Sequence, residues 1–324
     1  WRGLSLHPEA RRRFDQARSA LAPTVPVALA ARLWEGIAQL SGETASPESR
    51  AAALQAAALY RQLDDRRGLY LSLAHLAFSY RANSAQAEAA YAEMQRLEDG
   101  SWPPSLRLYG RKVEGGLASD AGRLDAARAA NEARLALGIA AGSERDVNAA
   151  LGNLAEIALM AGDAERSVEL GRQLLARLGQ RHRTTRVIAL GNLLPALLTL
   201  QATAAARAVL AEYVDLARHF DSVYVMYASD SMAWLAAAEG RWDAAAMLIG
   251  YSDASYAFQG QAREPNERRA REAAEALIVS SGRGPSLAAA TTTGAAMQAA
   301  DACAVAIQAS PAAPLRPGVA TDAD

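Results

Sequence analysis

The residues of this sequence that are capable of chemistry do not form a catalytic or metal-binding pattern. The four histidines are scattered, and none has a second ligand at helical spacing, so we expect no zinc site. The single cysteine, Cys303, has no partner for a disulfide, which favours a reducing, cytoplasmic compartment. The patterns Gly-x-Ser-x-Gly and Gly-x-Gly-x-x-Gly are absent. We therefore expect a protein that is not an enzyme and that binds no cofactor and no metal.

Basic residues could bind nucleotides or nucleic acids, but their arrangement argues against both. Of 34 basic residues only Lys112 is a lysine, and the sequence Gly110-Arg111-Lys112-Val113 lacks the loop of a P-loop nucleotide site. Arginines cluster at 11–13, 181–186 and 263–271, where they form either a nucleic-acid patch or solvated helix ends. The 35 acidic residues and the net charge of −1 favour solvated helix ends. No apolar stretch of ~18 residues predicts a membrane span.

A repeat of about forty residues organises the chain. Leu-Gly-Asn-Leu occurs at 151–154 and again at 190–193, an interval of 39 residues. Turn residues recur at intervals of 39 or 40, namely at Ala82, Gly122, Gly162, Gln201 and Gly240. A small residue follows each of them five positions later, and apolar residues lie four positions before and eight positions before or after, on one face of a helix. The exception is Glu114, eight positions before Gly122, whose neighbour Val113 indicates a one-residue slip in that helix. The pattern predicts a repeated unit of helix, short turn and helix.

One such hairpin cannot bury its apolar faces alone, so neighbouring hairpins must stack. We predict an all-α fold, a right-handed superhelix of five to six antiparallel helical hairpins. The predicted segments are an N-terminal helix (1–25), the repeats (26–262), C-terminal capping helices (263–309) and a disordered tail (310–324). Pro195 is expected to kink its helix. Because the sequence begins with Trp1 rather than Met, we expect it to be a piece of a longer protein.

The first helix of each hairpin lines the concave face of such a stack, and its outward side chains form a groove. Counting back from the turn residues selects Asn153, Glu156, Asn192, Tyr227, Asp230 and Trp234. Tyr109 and Lys112 join them if the slip near Glu114 is ignored. Asn153 and Asn192 occupy equivalent positions, where their amides either hold an extended peptide or a carboxylate, or bridge neighbouring helices. Tyr227 and Trp234 either stack on a ligand or pack between hairpins.

Several segments resemble a known family of regulators. The sequences at 161–168 and 239–246 are similar to tetratricopeptide turns, which implies that the predicted right-handed superhelix is tetratricopeptide-like. The sequences at 240–250, 263–271 and 294–306 resemble the C-terminal arm of large bacterial transcriptional regulators. Those regulators join a winged-helix or LuxR-type DNA-binding domain, a signalling ATPase and a tetratricopeptide array. The match covers about 60–310 and is partial: Met247 stands where the family has Arg, and Gln298-Ala299 replaces Ser-Leu.

The resemblance implies a non-catalytic regulatory or sensor domain for signal transduction. It would bind a protein or peptide partner, or a small inducer, in its groove, and would itself bind no nucleic acid and no membrane. The alternative is a free-standing tetratricopeptide scaffold for protein–protein interaction.

Overall fold

A computed structural model describes residues 7–22, 24–41, 47–80, 84–180 and 182–308. Within these ranges all regular structure is helical and no β-strand occurs, which confirms the predicted all-α fold class. Among the described residues, no helix combines the length and apolarity that a membrane crossing requires. The turn residue Ala82 and the predicted tail at 310–324 lie outside the described ranges.

The chain divides into two compact units, one ending at Ile157 and the other beginning at Ala158, inside the segment predicted as one repeat array. The helices of the first unit are α1 (His7–Ser19), α2 (Val27–Ser41), α3 (Pro47–Gln62), α4 (Arg66–Ser79), α5 (Ser84–Leu97), α6 (Pro104–Asp120) and α7 (Leu124–Ala140). Helix α8 (Glu144–Met160) begins in the first unit and ends in the second. The second unit continues with α9 (Ala164–Leu178), α10 (Arg183–Thr199), α11 (Thr203–Ala217), α12 (Ser222–Ala238), α13 (Trp242–Gln259), α14 (Pro265–Ser280), α15 (Ala288–Ala295) and α16 (Ala299–Ile307).

The turns between helices form where the repeat predicts them. Gly122, Gly162 and Gly240 all have a positive φ, at 69°, 88° and 71°, and Gln201 has a φ of 56°. This left-handed conformation ends a helix and favours glycine, which explains the spacing of glycines along the chain. The small residues five positions later are buried, which lets the two helices of each hairpin pack closely.

Within the first unit, most helices pack mainly against a neighbour along the chain. The pairs are α2 with α3, α3 with α4, α4 with α5, and α6 with α7. Their shared core contains the buried side chains of Tyr70, Leu73 and Met94 among many alanines. The Asp65 carboxylate caps α4 by accepting hydrogen bonds from two backbone N–H groups, and Pro104 begins α6. These ends fix where α4 and α6 present their side chains.

In the second unit, α12 is the central helix. It packs against α10, α11, α13, α14 and α16, while α15 packs along α13. The helices expected to cap the array between 263 and 309 are thus α14, α15 and α16. Helix α10 runs through Pro195, and the kink expected there stays a prediction.

Candidate functional site

The first unit contains a cavity of about 190 Å³ that is surrounded by α2, α4, α6, α7, the turn after α7 and the start of α8. Its lining residues are Gln39, His75, Phe78, Ser105, Leu108, Tyr109, Lys112, Arg134, Ala141, Ser143, Arg145 and Asp146. Two of the residues selected from the sequence, Tyr109 and Lys112, are among them. Both lie on α6, one turn apart, so that one face of this helix presents them together.

Aromatic side chains form one wall of the cavity. The His75 ring meets the Tyr109 ring edge to face, with 6.0 Å between the ring centroids. The Tyr109 hydroxyl accepts a hydrogen bond from Nε2 of Gln39 at 3.2 Å. The Lys112 Nζ atom lies over the Phe78 ring, 4.7 Å from its centroid, which is the geometry of a cation–π interaction. These contacts hold the half-buried lysine against an apolar surface.

Charged side chains from α7 and the start of α8 form a second, charged wall. The buried Arg134 donates to Oδ1 of Asp146, with an Nη2–Oδ1 distance of 2.6 Å, and the Ser143 hydroxyl donates to Oδ2 at 2.7 Å. Burial opposes ionisation of Asp146, but these hydrogen bonds and the charges of Arg134 and Lys112 outweigh it and lower the pKa of Asp146. Asp146 is therefore ionised at neutral pH and pairs with Arg134.

The side chains that line the cavity have the functional groups needed to bind a small molecule. They offer hydrogen-bond donors, aromatic surface and three cationic groups around one carboxylate that is already paired. Among the described residues, no group of three or more His, Cys, Asp or Glu side chains is placed to hold a metal ion.

The other predicted residues of the first unit lie on α8. Asn153 is exposed, and its Nδ2 donates to Oδ1 of Asn131 on α7 at 3.0 Å. Asn131 in turn donates to the carbonyl oxygen of Ala127 at 2.8 Å. Asn153 thus bridges α7 and α8. This is the second of the two roles that the sequence allows for it, the first being the binding of a peptide or a carboxylate. Glu156 is half-buried.

In the second unit the structure corrects the expectation for Asp230. Its side chain is 1% exposed, so it does not lie on an open groove. The Asp230 carboxylate accepts hydrogen bonds from Nε of Arg263 at 2.6 Å and from the Ser252 hydroxyl at 2.8 Å. The physical reason is that α13 and α14 both pack against α12 and cover the face that carries Asp230.

The remaining predicted residues of this unit are more accessible. Tyr227 is 42% exposed, and its hydroxyl donates to Oε1 of Gln261 at 3.0 Å. Asn192 on α10 is half-buried. Trp234 is half-buried and packs against the core, as the packing interpretation predicts. Whether Tyr227 and Asn192 contact a ligand stays a prediction.

Most of the cavity lining, including His75, Phe78, Arg134 and Arg145, is not predicted by the repeat pattern. One signal was present, because Ser143 and Asp146 have the three-residue spacing of a helix cap at the start of α8. That spacing indicates a helix start, but it does not show that the cap faces a cavity.

In comparisons with known proteins, no protein-family model matches this chain, and no curated protein shows significant similarity to it.

Proposed function

We propose that this chain is a non-catalytic helical-repeat sensor domain that binds a small inducer in the cavity of its first unit. The observation that carries the proposal is the cavity itself, with Tyr109 and Lys112 in its lining. Small-molecule sites are concave, mostly apolar and equipped with a few placed polar groups. The aromatic wall and the charged wall of this cavity supply both properties.

The sequence resemblance supports a place for this sensor in a cytoplasmic bacterial transcriptional regulator. In such a protein, an inducer that binds one conformation of the helical repeat better than another shifts the conformational equilibrium of the domains joined to it. The gene upstream of the Trp1 codon offers a direct test. A P-loop and a winged-helix or LuxR-type domain in that reading frame support the regulator, and a start codon directly before Trp1 contradicts it.

A scaffold that docks proteins is the second candidate function. It is favoured by large apolar side chains on the surface of the second unit, where Phe258 is 88% exposed and Val279 is 74% exposed. Exposed apolar side chains at protein surfaces can serve as contacts for a partner protein.

Thermal shift measurements with a library of small compounds test the sensor proposal. The variant Ser105→Phe fills the cavity from its rim at an exposed position, and Ser101→Phe adds the same ring to another exposed serine outside the lining. We expect compounds that raise the Tm of the wild type and of Ser101→Phe but not that of Ser105→Phe. Compounds that stabilise all three proteins equally, or the lack of any binding compound, would contradict an inducer site in this cavity.

A further inference from the structure

Helix α14 departs from the repeat topology of the second unit. It packs mainly against α12, the first helix of the hairpin before it, rather than against α13, which directly precedes it in the chain. The first helices of the hairpins are those that the repeat pattern expects to line a groove. We propose that the face of α12 that carries Asp230, here called the Asp230 face, docks a helix of a partner protein. Helix α14 is the built-in competitor that covers this face until the partner displaces it.

The apolar contact between α14 and the Asp230 face is small. The buried side chains of α14 are Ala270, Ala274 and Ile278, which recur at every fourth position along one side of the helix. Two of the three are alanines, which remove less apolar surface from water than leucine or phenylalanine would. Apolar burial alone therefore holds α14 weakly, and its polar contacts decide whether it stays in place.

Two arginines fasten α14 to the rest of the unit. Arg263, just before the helix, donates from Nε to the Asp230 carboxylate at 2.6 Å. Arg269 donates to the carbonyl oxygens of Leu159 and Met160 at the end of α8, both at 2.9 Å. A buried carboxylate and the carbonyl oxygens at a helix end accept equally well from an arginine of another helix. A partner helix can therefore take over both contacts.

Helix α14 is built to open while the helices around it stay in place. The segments that flank it, 260–262 and 282–283, are exposed, and each begins with a glycine of positive φ, at 62° and 70°. Helix α15 is held by its own packing along α13, and α16 by its packing on α11, α12 and α13. The start of α14 is also self-contained, because Oε2 of Glu267 accepts from the backbone N–H of Glu264 at 2.9 Å.

The chemistry of the partner helix follows from what α14 presents. Asp230 is almost completely buried, and a buried carboxylate needs a cationic partner, so the docked helix must bring an arginine to it. About two turns after that arginine, the helix must present small apolar side chains at four-residue spacing, as α14 does from Ala270 onward. A helix with acidic residues at these positions would not fit.

Hydrogen–deuterium exchange of the full chain tests whether α14 opens by itself. Arg269→Ala removes both hydrogen bonds to the end of α8 from an exposed position. We expect amide exchange within 266–280 to become about tenfold faster or more, while exchange in α13, α15 and α16 stays unchanged. The matched control is Arg268→Ala, which removes a neighbouring exposed arginine that donates to the carbonyl oxygen of Arg263 and should exchange like the wild type.

A fluorescently labelled peptide with the sequence of residues 261–281 stands in for the partner helix. In the wild type, the attached α14 competes at the high effective concentration of a tethered segment. We therefore expect Arg269→Ala to bind the peptide about tenfold more tightly than the wild type or Arg268→Ala, as measured by fluorescence anisotropy. The control peptide carries Ala274→Glu, which places a charge on the apolar side of the helix, and it should bind none of these proteins.

Several outcomes would overturn the proposal. Equal exchange of α14 in Arg269→Ala and Arg268→Ala, or faster exchange of α15 and α16 together with α14, would show that α14 is a fixed part of the fold. Unchanged peptide affinity despite faster exchange, or equal binding of the Ala274→Glu peptide, would show that the Asp230 face does not dock a helix. A concentration-dependent dimer of Arg269→Ala without peptide would assign this face to α14 of a second copy. Because the Asp230 face lies in the second unit, none of these outcomes bears on the inducer cavity of the first.

Discussion

Two glycines allow α13 and α15 to lie unusually close in the second unit. A Cβ atom added at Gly250 would overlap the carbonyl oxygen of Thr291 and would lie 2.9 Å from the amide nitrogen of Ala295. A Cβ atom at Gly294 would lie 2.6 Å from the carbonyl carbon of Met247 and would overlap its oxygen. Ordinary carbon–oxygen contacts are about 3.3–3.6 Å. We therefore predict that Gly250→Ala forces the two helices apart.

The size of the effect follows from two opposing contributions. Overpacking a buried site costs about 1–3 kcal/mol, and the upper value applies here because the obstructing atoms belong to the backbone and cannot rotate aside. Replacing a helical glycine by alanine offsets about 1 kcal/mol of this cost through helix propensity. The expected net loss is about 2 kcal/mol, which corresponds to a fall in Tm of about 4–8 °C for a unit of this size.

Thermal and urea unfolding followed by circular dichroism measure this loss. The control is Gly171→Ala in α9 of the same unit, where the added Cβ would meet only the Leu193 side chain, at 3.4 Å. This control should be as stable as the wild type or more stable by up to about 1 kcal/mol. Because one separation of α13 from α15 relieves both overlaps, the double change at Gly250 and Gly294 should cost less than the sum of the single changes.

If Gly250→Ala is as stable as Gly171→Ala, the close contact between α13 and α15 does not limit the size of residue 250. Strict additivity of the Gly250 and Gly294 substitutions would also contradict the prediction, since independent costs cannot arise from one shared helix contact.

Three further predictions concern charged groups. Arg241 donates to the carbonyl oxygens of Val305 and Ala306 at the end of α16, so Arg241→Ala should loosen this helix and speed the reaction of Cys303 with a thiol reagent about tenfold or more. In the wild type that reaction should be slow, because burial raises the pKa of the Cys303 thiol to about 11. Asp230→Ala should lower the free energy of unfolding in urea by about 1.5–3 kcal/mol, because Arg263 then loses its buried partner and keeps only the more exposed Asp253. Asp146 has a pKa below its ordinary value of 3.8, so the stability it contributes is present above that pH and is lost as the pH falls through the lower folded value. The difference in unfolding free energy between the wild type and Asp146→Asn should therefore be constant near neutral pH and shrink below about pH 4.

Each of these predictions has its own contrary result. The control is Arg218→Ala, which removes only exposed contacts, an ion pair with Asp215 and a hydrogen bond to His219. Equal labelling of Cys303 in Arg241→Ala and in this control would show that Arg241 does not hold α16. A loss below about 1 kcal/mol for Asp230→Ala would show that water replaces the missing carboxylate. A difference for Asp146→Asn that grows on acidification would reverse the sign of the linkage.

The sequence by itself determined the helical class, the turns and part of the site. These features are local: the 3.6-residue period, the small residues beside each turn and the left-handed turn glycines lie within one hairpin. The same register placed Tyr109 and Lys112 on one face of one helix, and both line the cavity. About a quarter of the predicted groove residues thus lie at the candidate site.

Only the tertiary structure decided the rest, because it depends on contacts between residues far apart in the chain. Gln39 and Tyr109 are 70 positions apart in the sequence, yet their side chains form a hydrogen bond at the cavity. The repeat pattern does not predict which helices lie around the cavity. The burial of Asp230 follows from Arg263, 33 positions later, on the segment that leads into α14. The repeat pattern predicts the same packing for every hairpin. A cavity forms where the side chains of neighbouring helices leave space unfilled, and a buried ion pair forms where particular charged side chains meet, and both depend on residues that the repeat does not specify.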